Sequence, residues 1–106
     1  MNLPNSLSNL IEAQNEFNSA AFANCFNANA IVFDEGEKHE GREAIKKWNE
    51  ETNTKYKTQL EAISYSETNK ESVLKVKGSG SFGDPIELNY HITLKDELIE
   101  TLKIKG

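Results

Sequence analysis

The residue with the clearest potential for chemistry is Asp34, which ends a short apolar run from Ala30 to Phe33. That run predicts a β-strand. A few residues later Gly41 opens a predicted helix in which Ile45 and Trp48 share one face. A carboxylate at a strand end, opposite an aromatic helix, would have a raised pKa if it were partly buried, and would be a better base. The other interpretation is a solvated residue of an ordinary Asp-Glu-Gly turn.

The composition limits the classes of protein to which the chain can belong. Its 106 residues are enough for one domain with a modest core, and its net charge is -5. That charge argues against nucleic-acid binding, which needs a concentrated basic surface. No apolar run approaches the roughly 20 residues of a membrane span, and no signal peptide is visible. The single cysteine fits a reducing compartment, so the sequence predicts a cytoplasmic protein with no membrane partner.

The spacing of apolar residues predicts helices first and a meander of strands afterwards. The predicted helices cover residues 3 to about 15, 19 to about 26 and about 42 to 56, and the predicted strands cover residues 30–33, 58–67, 73–82, 86–95 and 98–105. A switch in the parity of the apolar positions predicts a β-bulge near Ala62. This order indicates an α+β fold, with three N-terminal helices packed on one face of a strongly curved, mostly antiparallel sheet. We expect a single domain over residues 1–106.

Several side chains on the inner face are candidates for a pocket wall. Tyr90 alternates with Ile and Leu, so it is either a core tyrosine or a hydrogen-bond donor to a ligand. Trp48 is likewise either core or pocket lining. Phe82 shares the inner face of its predicted strand with two glycines, which permit a sharp bend or a close approach. Gln14 lies on the inner face of the first helix with Leu10 and could supply a pocket amide.

Two further candidates depend on how the chain turns. Strict alternation points Glu100 into the pocket, whereas a bulge or a rim position turns it away, because an unpaired buried acid is costly. Inside the pocket near Asp34, it would form an acid–base pair with separated pKa values. His39 lies in a charged predicted loop and is either solvated or a proton carrier at the pocket mouth. The two histidines lack ligand spacing, so we expect no metal, and we expect Cys25 to fill core.

The segments Phe26 to Asp34, with the sequence Phe-Asn-Ala-Asn-Ala-Ile-Val-Phe-Asp, and Gly41 to Ile45, with the sequence Gly-Arg-Glu-Ala-Ile, carry a family resemblance. They resemble the first strand and the start of the third helix of the nuclear-transport-factor-2-like superfamily, in the branch with ketosteroid isomerases and SnoaL-like polyketide cyclases. The order of the predicted elements matches that family over essentially the whole chain. The resemblance implies a cystatin-like cone with a pocket between the concave sheet and the helices.

The resemblance also implies roles for single residues. Asp34 stands at the position of the aspartate that moves a proton in the isomerases, and Trp48 at that of an aromatic residue on the pocket wall. Leu10 stands where the isomerases place a tyrosine donor, so this donor is missing. Tyr90 falls about where they place a protonated acid, and its phenol could donate the hydrogen bond instead. Asp34 and Tyr90 are therefore the predicted catalytic residues.

Three interpretations of function follow. The first is a cofactor-independent isomerase, cyclase or dehydratase that acts on a small apolar or aromatic molecule. The second is a domain that binds such a molecule without chemistry. The third is a dimerisation or protein-interaction module whose pocket is collapsed core. Relatives commonly pair through the outer face of the sheet, so we expect a homodimer. We expect that face to carry Lys75, Lys77, Glu87, Asn89, His91, Thr93 and Lys95, with Val73, Ile99 and either Ile63 or Tyr65.

Overall fold

The computed structural model describes residues 2–106, in which three helices pack on one face of a six-stranded sheet. The helices are α1 (Asn5–Asn15), α2 (Ser19–Ala23) and α3 (Arg42–Tyr56). The strands are β1 (Phe26–Asp34), β2 (Glu37–Glu40), β3 (Gln59–Glu67), β4 (Ser72–Ser79), β5 (Ile86–Lys95) and β6 (Leu98–Lys105). Their order is β2-β1-β6-β5-β4-β3, and only β1 and β6 pair in parallel. The predicted α+β class is confirmed.

Local sequence signals explain where the first two helices begin. Pro4 precedes the first residue of α1, where its missing N–H costs nothing. Asn18 caps α2, because its side-chain oxygen accepts the N–H of Ala21 at 3.0 Å. The prediction that α2 reaches residue 26 is wrong: the helix ends at Ala23, and Phe26 begins β1 with a fully buried ring. The predicted limits of α3 agree with the structure.

The sequence did not indicate β2, whose segment Glu-Lys-His-Glu was predicted as a loop. It pairs with the end of β1 through a two-residue turn, and both turn residues, Glu35 and Gly36, have positive φ as in a type I′ hairpin. Asp34 pairs with Glu37, so it is the last residue of the ladder rather than part of the turn. Because Val32 is fully buried and side chains alternate along a strand, Asp34 lies on the same inner face.

A bulge in β3 confirms the predicted change of parity. The pairing of β3 with β4 shifts between Ala62 and Ser64, so Ile63 is the additional residue of the bulge. Ile63 is 38% exposed, whereas Ala62 and Tyr65 pack against the core. The bulge thus lets both of these side chains face inward on a strand whose sequence breaks strict alternation.

A second bulge lies in β6. Thr93 pairs with Thr101 and Leu94 pairs with Ile99, which leaves Glu100 as the additional residue. As a result Ile99 is fully buried in the core, so its predicted place on the outer face of the sheet is wrong.

The core lies between the helices and the inner face of the sheet. Its largest fully buried side chains are Leu7, Leu10, Phe26, Val32, Ile45, Leu74, Val76, Ile92, Ile99 and Leu102. None of the helices in residues 2–106 has both the length and the apolar character that a membrane span requires.

The loop between β4 and β5 is fixed against the end of α3. The backbone N–H of Ser81 donates to the carbonyl oxygen of Tyr56 at 2.7 Å, and its hydroxyl donates to the carbonyls of Lys55 and Tyr56. These bonds satisfy carbonyl groups that a helix end leaves unpaired. A Cβ atom at Gly80 would collide with the Tyr56 carbonyl oxygen, so glycine permits this approach. The turn onto α3 ends β4 at Ser79 and places Phe82 in the loop, contrary to the predicted strand.

Candidate functional site

A cavity of about 470 Å³ lies between α3 and the inner face of the sheet. This volume is typical of a small-molecule site. Its aromatic lining residues are Phe22, Trp48, Tyr56, Phe82 and Tyr90. Its aliphatic lining residues are Ile86, Leu88 and Ile104, and the backbone of Gly78 adds to the same wall. Its polar lining residues are Gln14, Asp34, Glu35, Asn49, Thr52, Thr58 and Lys105.

Three neighbouring strands place Asp34, Ile104 and Tyr90 side by side. Phe33 pairs with Lys103 in the parallel register of β1 and β6, so Asp34 comes beside Ile104 one residue later. Ile104 pairs with Tyr90 across β6 and β5. Because strands lie about 4.8 Å apart, the Cα atoms of Asp34 and Tyr90 are separated by about 10 Å. Both side chains line the cavity, so the carboxylate and the phenol belong to one site.

The environment of Asp34 favours the protonated form of its carboxyl group. Partial burial raises the pKa of Asp34 above its ordinary value of 3.8, and the neighbouring Glu35 carboxylate raises it further. The indole of Trp48, the charge of His39 and the backbone N–H of Glu35 counteract part of this rise. A carboxylate with a raised pKa is a stronger base than one in water.

The Tyr90 phenol stays protonated over the whole physiological pH range. Burial raises the pKa of Tyr90, and the negative charge of Asp34 raises it further. Tyr90 is 7% exposed, yet its hydroxyl makes no hydrogen bond to any residue that the structure describes. Since the residue lines the cavity, its O–H is available to a ligand.

His39 lies behind the aromatic wall rather than in a loop. It pairs with Val32 in β2, so it faces inward, and its ring stacks on Trp48 with centroids 5.4 Å apart. Its Nε2 atom is buried without a hydrogen-bond partner among the described residues. His39 is close enough to act on Asp34 electrostatically, but it is not a lining residue of the cavity.

A network of buried amides forms the floor of the cavity. The Nδ2 group of Asn49 donates to Oε1 of Gln14 at 2.8 Å, and the hydroxyl of Ser19 donates to Oδ1 of Asn49 at 2.7 Å. The Nε2 group of Gln14 in turn donates to Oδ1 of Asn53 at 2.9 Å and to the carbonyl of Thr58 at 2.8 Å. These bonds leave one N–H of Asn49 and one acceptor position of Gln14 without a protein partner among the described residues.

Of the three remaining candidates, only Phe82 lines the cavity. Phe82 lines the cavity and packs edge-on against Tyr56, with ring centroids 6.0 Å apart. Leu10 is fully buried in the core and is not a lining residue, so its predicted place on the wall is not observed. Glu100 is the additional residue of the β6 bulge, and it too lies outside the lining. Of the two positions considered for Glu100, in the pocket or at a bulge, the structure therefore shows the bulge.

Sequence reasoning missed Asn49 and Tyr56 as parts of the site. Both share the face of α3 that carries Ile45 and Trp48, and Asn49 follows Ile45 by four residues, the spacing of neighbours on one helix face. An amide inside an apolar stripe is the signal that could have identified Asn49. Cys25 packs in the core as expected, and burial raises the pKa of its thiol to about 11. Within residues 2–106, no three His, Cys, Asp or Glu side chains are placed to hold a metal ion.

Solved structures show what the chain resembles. No protein-family model matches it, and no curated protein is similar to it in sequence. A provisionally named polyketide cyclase from Sinorhizobium meliloti is 29% identical, with a TM-score of 0.91 over 97% of this chain and 95% of that chain. A protein with a ketosteroid isomerase-like fold from Catenulispora acidiphila, in complex with trimethylamine, is 16% identical, with a TM-score of 0.87 over 99% and 87% of the two chains. SalBIII, an epoxide hydrolase/cyclase-like enzyme of pyran ring formation in polyether salinomycin, is 18% identical, with a TM-score of 0.81 over 95% and 87%.

The architecture is therefore the cystatin-like cone that the sequence predicted, which proteins of unknown function also share. The chain is similar in structure to polyketide-cyclase-like and ketosteroid-isomerase-like proteins, in agreement with the predicted resemblance to the nuclear-transport-factor-2-like superfamily. Because one fold of this kind hosts many activities, the reaction has to be argued from the site.

Proposed function

We propose that the cavity binds a small apolar or aromatic molecule with a carbonyl group, and that the protein moves a proton on it as an isomerase, cyclase or dehydratase. The observation that carries this proposal is that the half-buried Asp34 carboxylate and the unpartnered Tyr90 hydroxyl line the same largely apolar cavity. A base with a raised pKa opposite a neutral donor is the arrangement that proton transfer at carbon requires.

Asp34 and Tyr90 have different roles in the proposed proton transfer. The Asp34 carboxylate takes a proton from the carbon next to the carbonyl, and the electron pair of the broken C–H bond moves to the carbonyl oxygen. The O–H of Tyr90 donates a hydrogen bond to that oxygen while its charge develops. Asp34 then returns the proton to another atom of the ligand. No electron leaves the ligand, so the step needs no redox partner.

The similar solved structures support the proposal that a small molecule enters the cavity. Two of them are named for cyclisation chemistry, and a third is in complex with trimethylamine.

Binding without chemistry is the second candidate. It is favoured by the position of Leu10, whose apolar side chain supplies no second donor. The predicted homodimer and the cytoplasmic location stay predictions, and light scattering of the purified chain tests the first of these.

The proposal is tested by a screen of small cyclic and aryl ketones with a variant that fills the cavity. A Cβ atom at Gly78 makes only ordinary contacts, 3.6 Å to Thr58 and 3.7 Å to Leu60, so Gly78→Ala is expected to bind ligands normally. The longer side chain of Gly78→Leu extends into the cavity and is expected to abolish binding while the protein remains folded. Ligand-induced shifts in the NMR spectrum of the protein measure binding, and deuterium uptake by the ketone in D₂O measures proton transfer. If Gly78→Leu binds and exchanges like Gly78→Ala, the cavity is not the site.

A further inference from the structure

The cavity concentrates aromatic rings to an unusual degree. Five of the nine aromatic residues of the chain line it, namely Phe22, Trp48, Tyr56, Phe82 and Tyr90. The face of an aromatic ring carries partial negative charge, so a group of rings attracts organic cations as well as apolar molecules. The charges around the cavity therefore decide between a neutral ligand and a cationic one.

The carboxylates of the cavity form no ion pair with Lys or Arg among the described residues. Asp34 and Glu35 line the cavity, and neither takes part in an ion pair among the described residues. Lys105 lines the mouth, but its charge acts on Glu71, beside His91 on the outer face of the sheet. No Lys or Arg acts on Asp34. His39 is the one basic residue that acts on Asp34, and its ring lies behind the wall of the cavity. A partly buried carboxylate without a Lys or Arg partner gains more from a positively charged ligand than from a neutral one.

The rim of the cavity already shows the same recognition within the chain. The ammonium group of Lys55 lies over the ring of Tyr56, 4.9 Å from its centroid. The charge of Glu35 contributes a smaller attraction without an ion pair, so an aromatic ring with a carboxylate in its neighbourhood attracts an alkylammonium group at the edge of the cavity. Asp34, Trp48 and Tyr90 repeat this combination inside the cavity, where less water competes.

We propose that the natural ligand carries a tertiary or quaternary ammonium group, which sits against Asp34 among the aromatic rings. The apolar part of the ligand then packs against Ile86, Leu88 and Ile104. This inference rests on the proposed function only in taking the same cavity as the binding site, and it does not require catalysis. It narrows the class of ligand from small apolar molecules in general to organic amines with an apolar body.

A pair of probes of equal shape tests the charge alone. Choline and 3,3-dimethylbutan-1-ol differ by a positively charged nitrogen in place of a carbon. Calorimetry on the full chain at low salt and about pH 8, where an ordinary histidine is neutral, measures both affinities. NMR shifts at Gly78 locate the bound probe. Choline is expected to bind about tenfold more tightly than the alcohol. Asp34→Asn should remove this preference, whereas Glu61→Gln, which removes an exposed acid outside the cavity, should keep it.

Each outcome has one meaning. Equal binding of the two probes at Gly78, or a choline preference that survives in Asp34→Asn, overturns the inference and leaves the cavity as a site for neutral molecules. Binding of choline away from Gly78, or no binding of either probe, also overturns it. The proposed proton transfer is judged separately, by deuterium uptake into ketones. A thermal melt shows that Asp34→Asn is folded. Trp48→Leu is a second test of recognition by the aromatic rings. This change is expected to reduce the affinity for choline more than the affinity for the alcohol.

Discussion

Asp34→Asn is expected to slow deuterium uptake by a bound ketone by a factor of about 10² to 10⁴, the usual contribution of a positioned general base. Asparagine keeps the shape of the side chain but cannot accept the proton. The affinity for a neutral ketone should change little, because the carboxylate is proposed to act on the transition state rather than on the bound ligand. NMR spectra of the ketone in D₂O measure the rate of uptake, and chemical-shift titration of the protein measures the affinity.

The matched control is Glu61→Gln, which changes an exposed carboxylate outside the cavity. It should retain the base and exchange protons at a rate much closer to that of the unchanged protein. Loss of fold does not explain slow exchange in Asp34→Asn, since removing a carboxylate whose pKa is raised by burial removes a cost of folding. Asp34→Asn should therefore melt at the same or a higher temperature at pH 7. Exchange at an unchanged rate would exclude Asp34 as the base and leave binding without chemistry.

The largest loss of stability is expected for Asn49→Leu. Asn49 is 1% exposed, and its amide joins Ser19, Gln14 and Asn53 in one network. Leucine would leave the buried groups of Ser19 and Gln14 without this partner, at a cost of about 1–3 kcal/mol each, and would remove one bond of the half-buried Asn53 amide. The free energy of unfolding should fall by about 3 kcal/mol or more, which in a chain of this size lowers the melting temperature by on the order of 10 °C or more. Urea denaturation measures the change.

A double variant separates the network from simple packing. When both partners become apolar, fewer polar groups are left unpaired, so Gln14→Leu together with Asn49→Leu should cost less than the sum of the two single changes. Glu50→Leu, at the exposed position next to Asn49 on α3, controls for helix propensity and should be nearly neutral. If Asn49→Leu is as stable as Glu50→Leu, the buried amides do not support the cavity floor.

The parts of the fold that follow one strong pattern could be predicted from the sequence. The limits of α3 and β6 agree with the structure, and the bulge near Ala62 was visible as a change of parity. By contrast, β2 has no apolar residue, because an edge strand of four residues at the end of the sheet buries little. Its pairing with β1 depends on a turn rather than on hydrophobic periodicity. Phe82 was assigned to a strand because no local sequence signal shows that Ser81 forms hydrogen bonds with the end of α3.

The site could be predicted only in part for a similar reason. Tyr90 could be placed on the inner face by counting along a strand, whereas Asp34 was left as either a base in the pocket or a solvated turn residue. The structure places both residues at the cavity. Leu10 and Gln14 lie on the same helix face, but only Gln14 reaches the cavity, since Leu10 packs deeper in the core. The network of Asn49 depends on contacts between residues 30 and 35 positions apart, which no local pattern records.

The most direct test of the account is the pKa of Asp34, measured by carbon-13 NMR of its carboxyl group as the pH is changed. The account requires the carboxyl to be partly withdrawn from water at the cavity, so the measured pKa should lie above the ordinary value of 3.8. The proton is then held more tightly by the folded chain, so stability relative to Asp34→Asn should rise as the pH falls through this pKa towards 3.8. A pKa at or below 3.8, with no such rise, would place the carboxylate in water and contradict the proposed base.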